Sequence, residues 1–154
     1  MAKATSSRRA AREAALRALY TVDVGRQPVA DVLEETITAN ELNEEAAQFT
    51  RELVLGVLES RRKTDATLDR IAVGFPLVRQ TAVDRNILRL AAWEILRESP
   101  DAPAGAVVNE AVELAKKYST AESGRFVNGV LGTLVREVEA KRVNHPVKES
   151  EADS

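Results

Sequence analysis

The chain has 154 residues, of which 44% are hydrophobic and 30% are charged, and its formal net charge is −2. This composition is typical of one folded globular domain, and the absence of cysteine excludes thiolate metal sites, iron–sulfur clusters and cysteine nucleophiles. With no secretory signal pattern and no apolar run near the roughly 20 residues that span a bilayer, we expect a cytoplasmic protein.

The first predicted helix, residues 6–24, begins as an arginine cluster and ends as a hydrophobic stripe. At about 100° per residue, one arc of about 80° holds Arg8, Arg12, Leu16 and Leu19, with Arg9 and Tyr20 at its edge. The same face of the helix carries leucines in its later turns, where it should face the core, and arginines in its first two turns. We therefore expect the first two turns to project past the rest of the domain. The chain is acidic overall, so this local basic patch indicates a specific contact with an anionic partner at this site, and not a non-specific attraction by the whole chain.

Three further helices are predicted in the first half of the chain. Pro28 opens the second helix, whose sequence is VADVLEETITA. Asn43 or Asn40 caps a third helix from about 44 to 63, and a fourth runs over residues 64–72. The apolar residues of each segment recur at helical spacing, which predicts that each buries one face.

Glycine and proline mark a break in the middle of the chain. Gly74 and Pro76 interrupt the helical pattern, and we place a boundary there between subdomains at about 6–74 and 77–140. The basic run at 61–63, before this break, is interpreted as a solvated helix turn.

The fifth predicted helix has the pattern of a central helix. Thr81 and Asp84 match the spacing of a capping box. The apolar residues that follow cover nearly the whole circumference: Ile87, Leu88, Leu90, Ala91, Trp93, Ile95 and Leu96. Pro100 and Pro103 separate it from a sixth helix, on which Lys116 and Lys117 are interpreted as ion-pair partners of Glu113.

Thr120 is predicted to cap a last helix from about 122 to 140, followed by a flexible polar tail over residues 141–154. Phe126 lies about 40° outside the apolar stripe of this helix, so it either packs under a neighbouring loop or offers an exposed ring for base stacking. Gly129 and Gly132 indicate close approach by another backbone, either an internal helix or a bound partner.

No pattern in the sequence indicates catalysis. The only histidine, His145, lies in the polar tail, where nothing would orient it as a catalyst. There is no phosphate-cradling glycine loop, and the carboxylates fall in helical charge patterns. We therefore expect an all-α domain of about seven helices with no enzymatic activity, no metal and no cofactor.

Four segments together resemble the transcription antitermination factor NusB family. They are RRAAREAALRALY near the start, AVDRNILRLAAWEI in the centre, VVNEAVELAKKYST, and GRFVNGVLG near the end, and they cover about residues 6–136. The resemblance implies a helical protein that binds boxA RNA of nascent transcripts as a heterodimer with NusE, a small-subunit ribosomal protein. It also implies that the complex joins an elongating RNA polymerase, notably on ribosomal RNA operons.

The resemblance also implies roles for single residues. The RNA-binding positions of the family match Arg8, Arg9, Arg12, Tyr20, Glu122 and Phe126, where Glu122 replaces the aspartate usual in the family. Arg125 and Asn128, beside Phe126, complete the predicted RNA site as a cation and a polar edge. The acid associated with NusE binding falls on Asp84, and we add Arg89 to the predicted partner surface. The capping role of Asp84 can equally account for that residue.

Two other interpretations stay open. The arginine face can dock an acidic protein in a helical interaction module that does not bind RNA. The domain can also correspond to the NusB-like domain that precedes some RNA cytosine methyltransferases, although no glycine-rich cofactor fold follows it here. The resemblance leaves the oligomeric state open between a monomer and a homodimer.

Overall fold

The structure, a computed structural model, describes residues 2–144, with side chains from Ser7 onward. In chain order the helices are α1 (Ala2–Gly25), α2 (Val29–Ala39), α3 (Glu44–Glu59), α4 (Arg61–Ile71), α5 (Ala82–Arg97), α6 (Ala104–Tyr118) and α7 (Ala121–Asn144). A 3-10 turn at Leu77–Arg79 joins α4 to α5. These seven helices confirm the predicted all-α fold, and no strand lies in the described range. None of these helices combines the length and the apolar character needed to cross a membrane.

Polar side chains cap three helices at the predicted places. The Asn43 side chain accepts a hydrogen bond from the Ala46 N–H at 2.8 Å, and so selects Asn43 over Asn40 as the start of α3. Thr120 accepts from the Ser123 N–H at 2.9 Å at the start of α7. The Thr81 hydroxyl caps α5 in the same way. Each cap satisfies a backbone donor that has no partner inside its own helix.

Two helix boundaries differ from the prediction. Helix α3 ends at Glu59 rather than near residue 63, because Ser60 is both its C-cap and the N-cap residue of α4. The basic run at 61–63 therefore opens α4, and its three side chains are exposed as a solvated turn requires. Helix α7 continues four residues beyond the predicted end, to Asn144, and His145 lies outside the described residues.

Helix α5 is the centre of the fold. Helices α1, α3, α4, α6 and α7 all pack against it, and its apolar residues are buried around most of its circumference. Ile87, Leu88 and Ala92 are almost completely enclosed. The prediction of a central helix from its near-continuous apolar surface is confirmed.

A single buried hydrophobic cluster joins both halves of the chain. It includes Leu19 of α1, Leu53 of α3, Leu88 of α5 and Leu131 of α7. The break between α4 and α5 is present, and Gly74 there adopts a φ of +82°, which favours glycine. The division into subdomains at this break stays an interpretation, because the core is continuous across it.

A glycine that is closely approached lies on α3, and its neighbour is a side chain, unlike the backbone approach predicted at the α7 glycines. A Cβ built on Gly56 would lie 2.2 Å from the Trp93 ring of α5, so only glycine lets these two helices pack as they do. A Cβ on Gly129 would meet nothing within 4 Å, and one on Gly132 only its own helix neighbour Arg136. The prediction of an internal helix against these two glycines is wrong, and a bound partner there stays a prediction.

Candidate nucleic-acid interface

The arginines at the start of α1 have three different environments. Arg12 is 9% exposed and forms two hydrogen bonds of 2.9 Å, from Nε and Nη2, to the two carboxylate oxygens of Glu94. Glu94 itself is 3% exposed. The expectation that the first two turns project past the body is therefore wrong at Arg12, which points into the fold because α5 supplies a buried carboxylate. A role for Arg12 in RNA binding can only be indirect.

Arg8 lies on an aromatic ring at the edge of a groove. Its guanidinium carbon is 4.7 Å from the centre of the Phe49 ring, a cation–π distance, and its side chain is half-buried. The groove between α1 and α3 has a volume of about 360 Å³, and Glu44, Glu45 and Glu52 line it. Arg8 is thus accessible from the surface, and these carboxylates reduce the net positive charge around it.

Arg9 is exposed on the outer face of α1. Its Nη2 atom donates to Glu110 of α6 at 3.1 Å, and this hydrogen bond, with the charge of Glu110, raises the pKa of Arg9. An ion pair at the surface is held weakly, because water screens it. Arg9 can therefore exchange Glu110 for a phosphate at little cost.

Tyr20 lies on the same face as Arg9, at the other end of α1. Eleven residues separate them, which is about three helical turns and about 16 Å along the axis. The Tyr20 ring is 41% exposed. The outer face of α1 therefore offers a cation at one end and an aromatic ring at the other, as the sequence predicts.

Asp84 links the start of α5 to the start of α7. Its backbone N–H donates to the Thr81 hydroxyl at 3.2 Å, while its Oδ2 accepts from the Ser123 hydroxyl at 2.9 Å. In a full capping box the Asp84 carboxylate would also accept from the backbone N–H of Thr81. This second hydrogen bond is absent, because the carboxylate turns towards α7. The other oxygen, Oδ1, is buried and has no hydrogen-bond partner among the described residues. Asp84 is 7% exposed and its Oδ1 is buried, so a partner can reach this carboxylate only if the side chains around it move.

Arg89 lies inside a polar network that joins α1, α4 and α5. It forms hydrogen bonds of 2.9 and 3.1 Å to the two carboxylate oxygens of Asp65 and one of 3.2 Å to Asp23. Arg85 and Asn86 also donate to Asp23. Arg89 is 6% exposed, so it does not present its guanidinium to a partner, and any effect on partner binding is through the position of these helices. The assignment of Arg89 to partner binding stays a prediction.

The first turns of α7 carry the remaining predicted site residues. Glu122, Arg125 and Asn128 are exposed. Phe126 is half-buried and meets the Phe75 ring edge to face, with ring centres 5.4 Å apart and an angle of 73° between the planes. Both alternatives for Phe126 therefore hold in part, because one side of the ring packs against the loop before α5 while the rest reaches the surface.

A group of side chains between α1 and α6 connects these surfaces. Glu13 of α1 accepts from the Lys117 ammonium at 2.8 Å and from the Tyr118 hydroxyl. Burial raises the pKa of Glu13, but these two hydrogen bonds outweigh it, so the pKa lies below its ordinary value. Since α7 begins three residues after Tyr118, these contacts join α1 to the end of α6 just before the first turn of α7. Lys117 therefore pairs with Glu13, and not with Glu113 as predicted, whereas Lys116 lies 3.9 Å from Glu113.

Sequence reasoning missed two surface residues near the candidate site. Phe75 lies in the loop between Gly74 and Pro76, where no helical period indicates which way a side chain points. Arg17 is exposed on the outer face of α1 beside Tyr118, and its position within about 80° of Arg9 and Tyr20 on the helical wheel is the signal that identifies it. No group of three or more metal-ligating side chains occurs in the part of the chain that the structure describes.

Comparison with known proteins agrees with this architecture. The family model described as "NusB family" matches residues 9–136. The transcription antitermination protein NusB of Symbiobacterium thermophilum is 46% identical over 138 residues, which cover 84% of this chain and 90% of that protein. The protein of the same name from Heliobacterium modesticaldum is 45% identical over 136 residues, which cover 88% of this chain but 66% of the longer relative.

Solved structures give the same result. T. maritima NusB superposes with a TM-score of 0.79 at 35% identity, over 84% of this chain and 91% of that one. A chain from a crystal structure of antitermination factors NusB and NusE in complex with dsRNA has a TM-score of 0.79 at 27% identity, and covers 86% of this chain and 98% of that one. With the family model matched over most of its helices, this chain belongs to the NusB family.

Proposed function

We propose that this chain is a transcription antitermination factor that binds boxA-type RNA together with NusE and joins the elongating RNA polymerase, notably on ribosomal RNA operons. The observation that carries the proposal is the outer face of α1. There an arginine, Arg9, and a ring, Tyr20, are exposed, and Glu13 between them in the chain bonds to the end of α6, just before the turns of α7 that carry Arg125 and Phe126. Membership in the NusB family and the likeness to a chain solved with NusE and dsRNA support it.

In the proposed site, cationic side chains and aromatic rings contact different parts of the RNA. Arg8, Arg9 and Arg125 attract phosphates, which positions RNA but does not read its sequence. Tyr20 and Phe126 supply faces on which unpaired bases can stack. Because the arginine charges near α1 are partly compensated by carboxylates, we expect weak binding by the chain alone. A partner that adds surface is therefore needed for tight binding.

The edge formed by the start of α5 and the loop before it is the proposed NusE surface. Val73 and Val78 in this loop are 87% and 81% exposed, which is unusual for large apolar side chains. Asp84, in the first turn of α5 that follows, is the predicted NusE-binding acid, and its side chain is held by Ser123. A partner that covers the valines would remove exposed apolar surface from water next to the start of α5.

A fluorescence anisotropy titration tests the proposed function. Labelled boxA RNA and a scrambled RNA of equal composition are titrated with the chain, with and without NusE. We expect boxA RNA to bind more tightly than the scrambled RNA, NusE to increase this difference, and added salt to weaken binding steeply. Equal affinity for the two RNAs in the presence of NusE would overturn the proposal.

A further inference from the structure

Four side chains at the junction of α1 and α6 form a compact polar group, which we call the seam cluster: Glu13, Arg17, Lys117 and Tyr118. The Arg17 guanidinium lies over the Tyr118 ring, 5.9 Å from its centre, and donates to its hydroxyl at 3.2 Å. The same hydroxyl donates to Glu13, which also accepts from Lys117. Arg17 is thus held in one orientation by an aromatic ring and not by a carboxylate.

The ion pairs of α1 distinguish the arginines that have a carboxylate partner from those that do not. Arg8 lies on the Phe49 ring, while Arg12 and Arg9 each form an ion pair, with Glu94 and Glu110. Within residues 7–144, by contrast, no carboxylate oxygen lies within ion-pair distance of the Arg17 guanidinium, although its side chain is exposed. The single acid of the seam cluster, Glu13, is already paired with Lys117. The cluster therefore carries a net positive charge at the surface.

The position of the seam cluster joins the two parts of the proposed RNA surface. Along α1, Arg17 lies about 12 Å from Arg9 and about 4.5 Å from Tyr20, and all three fall within an arc of about 80°. Tyr118 ends α6 immediately before the first turn of α7. Arg17 lies about 60° from Tyr20 around the helix, on one side of the line from Arg9 to Tyr20, so a strand that follows this line runs along the edge of the seam cluster.

We propose that Arg17 and Lys117 bind an RNA phosphate at the junction of α1 and α6, and that Arg17 is a directly contacting arginine of α1 where Arg12 is a structural one. This inference rests on the proposed function. A guanidinium presents parallel N–H groups that match a phosphate, and it binds more tightly when its orientation is already set. The hydrogen bond to the Tyr118 hydroxyl supplies that orientation. Lys117 adds a second charge beside it.

The test compares Arg17→Ala with Arg62→Ala, which removes an exposed arginine from α4. Binding of boxA RNA in the presence of NusE is measured by anisotropy between 0.1 and 1 M salt. Loss of one phosphate contact to single-stranded RNA lowers the slope of log affinity against log salt by about 0.7, which is about five-fold at 0.1 M salt. We expect this for Arg17→Ala and no change for Arg62→Ala. Arg17→Ala with Lys117→Ala should lose more affinity with little further change in slope, because both side chains contact the same phosphate.

Two further measurements keep the outcomes distinct. Thermal unfolding of Arg17→Ala should have the midpoint of the wild-type chain, since the side chain is exposed. Arg17→Lys should keep the slope of log affinity against log salt, because it keeps the charge. It should lose affinity, because lysine lacks the parallel N–H donors of the guanidinium. If the wild-type chain binds boxA RNA and Arg17→Ala binds it with the same slope, the seam cluster is not a phosphate site and the proposed function still stands. If the wild-type chain does not discriminate boxA RNA, the proposed function itself fails.

Discussion

Arg12 and Glu94 form a buried ion pair with two hydrogen bonds of 2.9 Å between α1 and α5. The pair explains why an arginine occupies the helical sector that becomes hydrophobic one turn later at Leu16. Arg12 faces the core because its partner is there. The arginine cluster therefore has two functions, since one member joins helices and its neighbours remain near the surface.

Replacement of Arg12 by alanine should lower the free energy of unfolding by about 3–5 kcal/mol, because it leaves the Glu94 carboxylate buried without a partner. Urea unfolding followed by circular dichroism measures this loss. The matched control is the double replacement Arg12→Met with Glu94→Met, which removes both charges and should recover much of the stability. If Arg12→Ala alone is as stable as the wild-type chain, the buried ion pair is contradicted.

Alanine at Gly56 should destabilise the chain by about 1–3 kcal/mol, because its Cβ has no room beside the Trp93 ring. Alanine at Gly129, which meets nothing within 4 Å, should instead stabilise the chain by about 0.5–1 kcal/mol. Thermal unfolding of the two variants measures both changes in stability, which should have opposite signs. Equal effects at the two positions would show that α3 and α5 do not approach as closely as described.

Acid should weaken the connection between α1 and α5 at Asp23. Burial raises the pKa of this carboxyl, but hydrogen bonds from Arg85 and Asn86 and the charges of Arg85 and Arg89 outweigh it, so its pKa lies below the ordinary value of 3.8. The unfolded chain takes up the proton first as pH falls. The stabilisation is thus complete above about pH 4 and is lost as pH falls through the lower folded pKa.

Urea unfolding at several pH values between 2 and 6 measures this loss. The matched control is Asp23→Asn, which cannot titrate and should show a shallower fall in stability below pH 4. Parallel curves for the two proteins would mean that Asp23 does not contribute to the acid sensitivity.

The sequence alone predicts most of the fold because its signals are local. The caps at Asn43, Thr81 and Thr120 and the apolar spacing of each helix depend on residues a few positions apart. The closeness of Gly56 to Trp93 depends on residues far apart in the chain, and local spacing does not contain it. The sequence therefore does not indicate that the tightly packed glycine lies on α3 and not on α7.

The candidate site was predicted less completely for the same reason. The partner of Arg12 is 82 residues away, so its burial is not visible in the first helix. One signal is present, since Glu94 lies within the apolar segment LAAWEIL of the central helix, and a charge in such a segment requires a buried partner. Phe75 gave no such signal, because it lies in a loop without periodicity.

Phe126→Ala should weaken boxA RNA binding by about 1–3 kcal/mol if a base stacks on the accessible part of its ring. Phe75→Ala should affect RNA binding less and act mainly on stability. A double-mutant cycle of unfolding should give a coupling of about 0.5–1.5 kcal/mol between these rings. Anisotropy and urea unfolding on the same variants separate the two effects, and unchanged RNA affinity in Phe126→Ala would remove this ring from the site.

The most direct test of RNA binding by the outer face of α1 is the boxA RNA affinity of Arg9→Glu against Arg62→Glu, measured by anisotropy with NusE at 0.1 M salt. The two variants change the net charge equally, and both arginines are exposed. We predict that Arg9→Glu weakens binding by about ten-fold or more, because a phosphate contact becomes a repulsion, while Arg62→Glu has little effect. Equal losses in the two variants would contradict the account, since they would reflect net charge and not a site on α1.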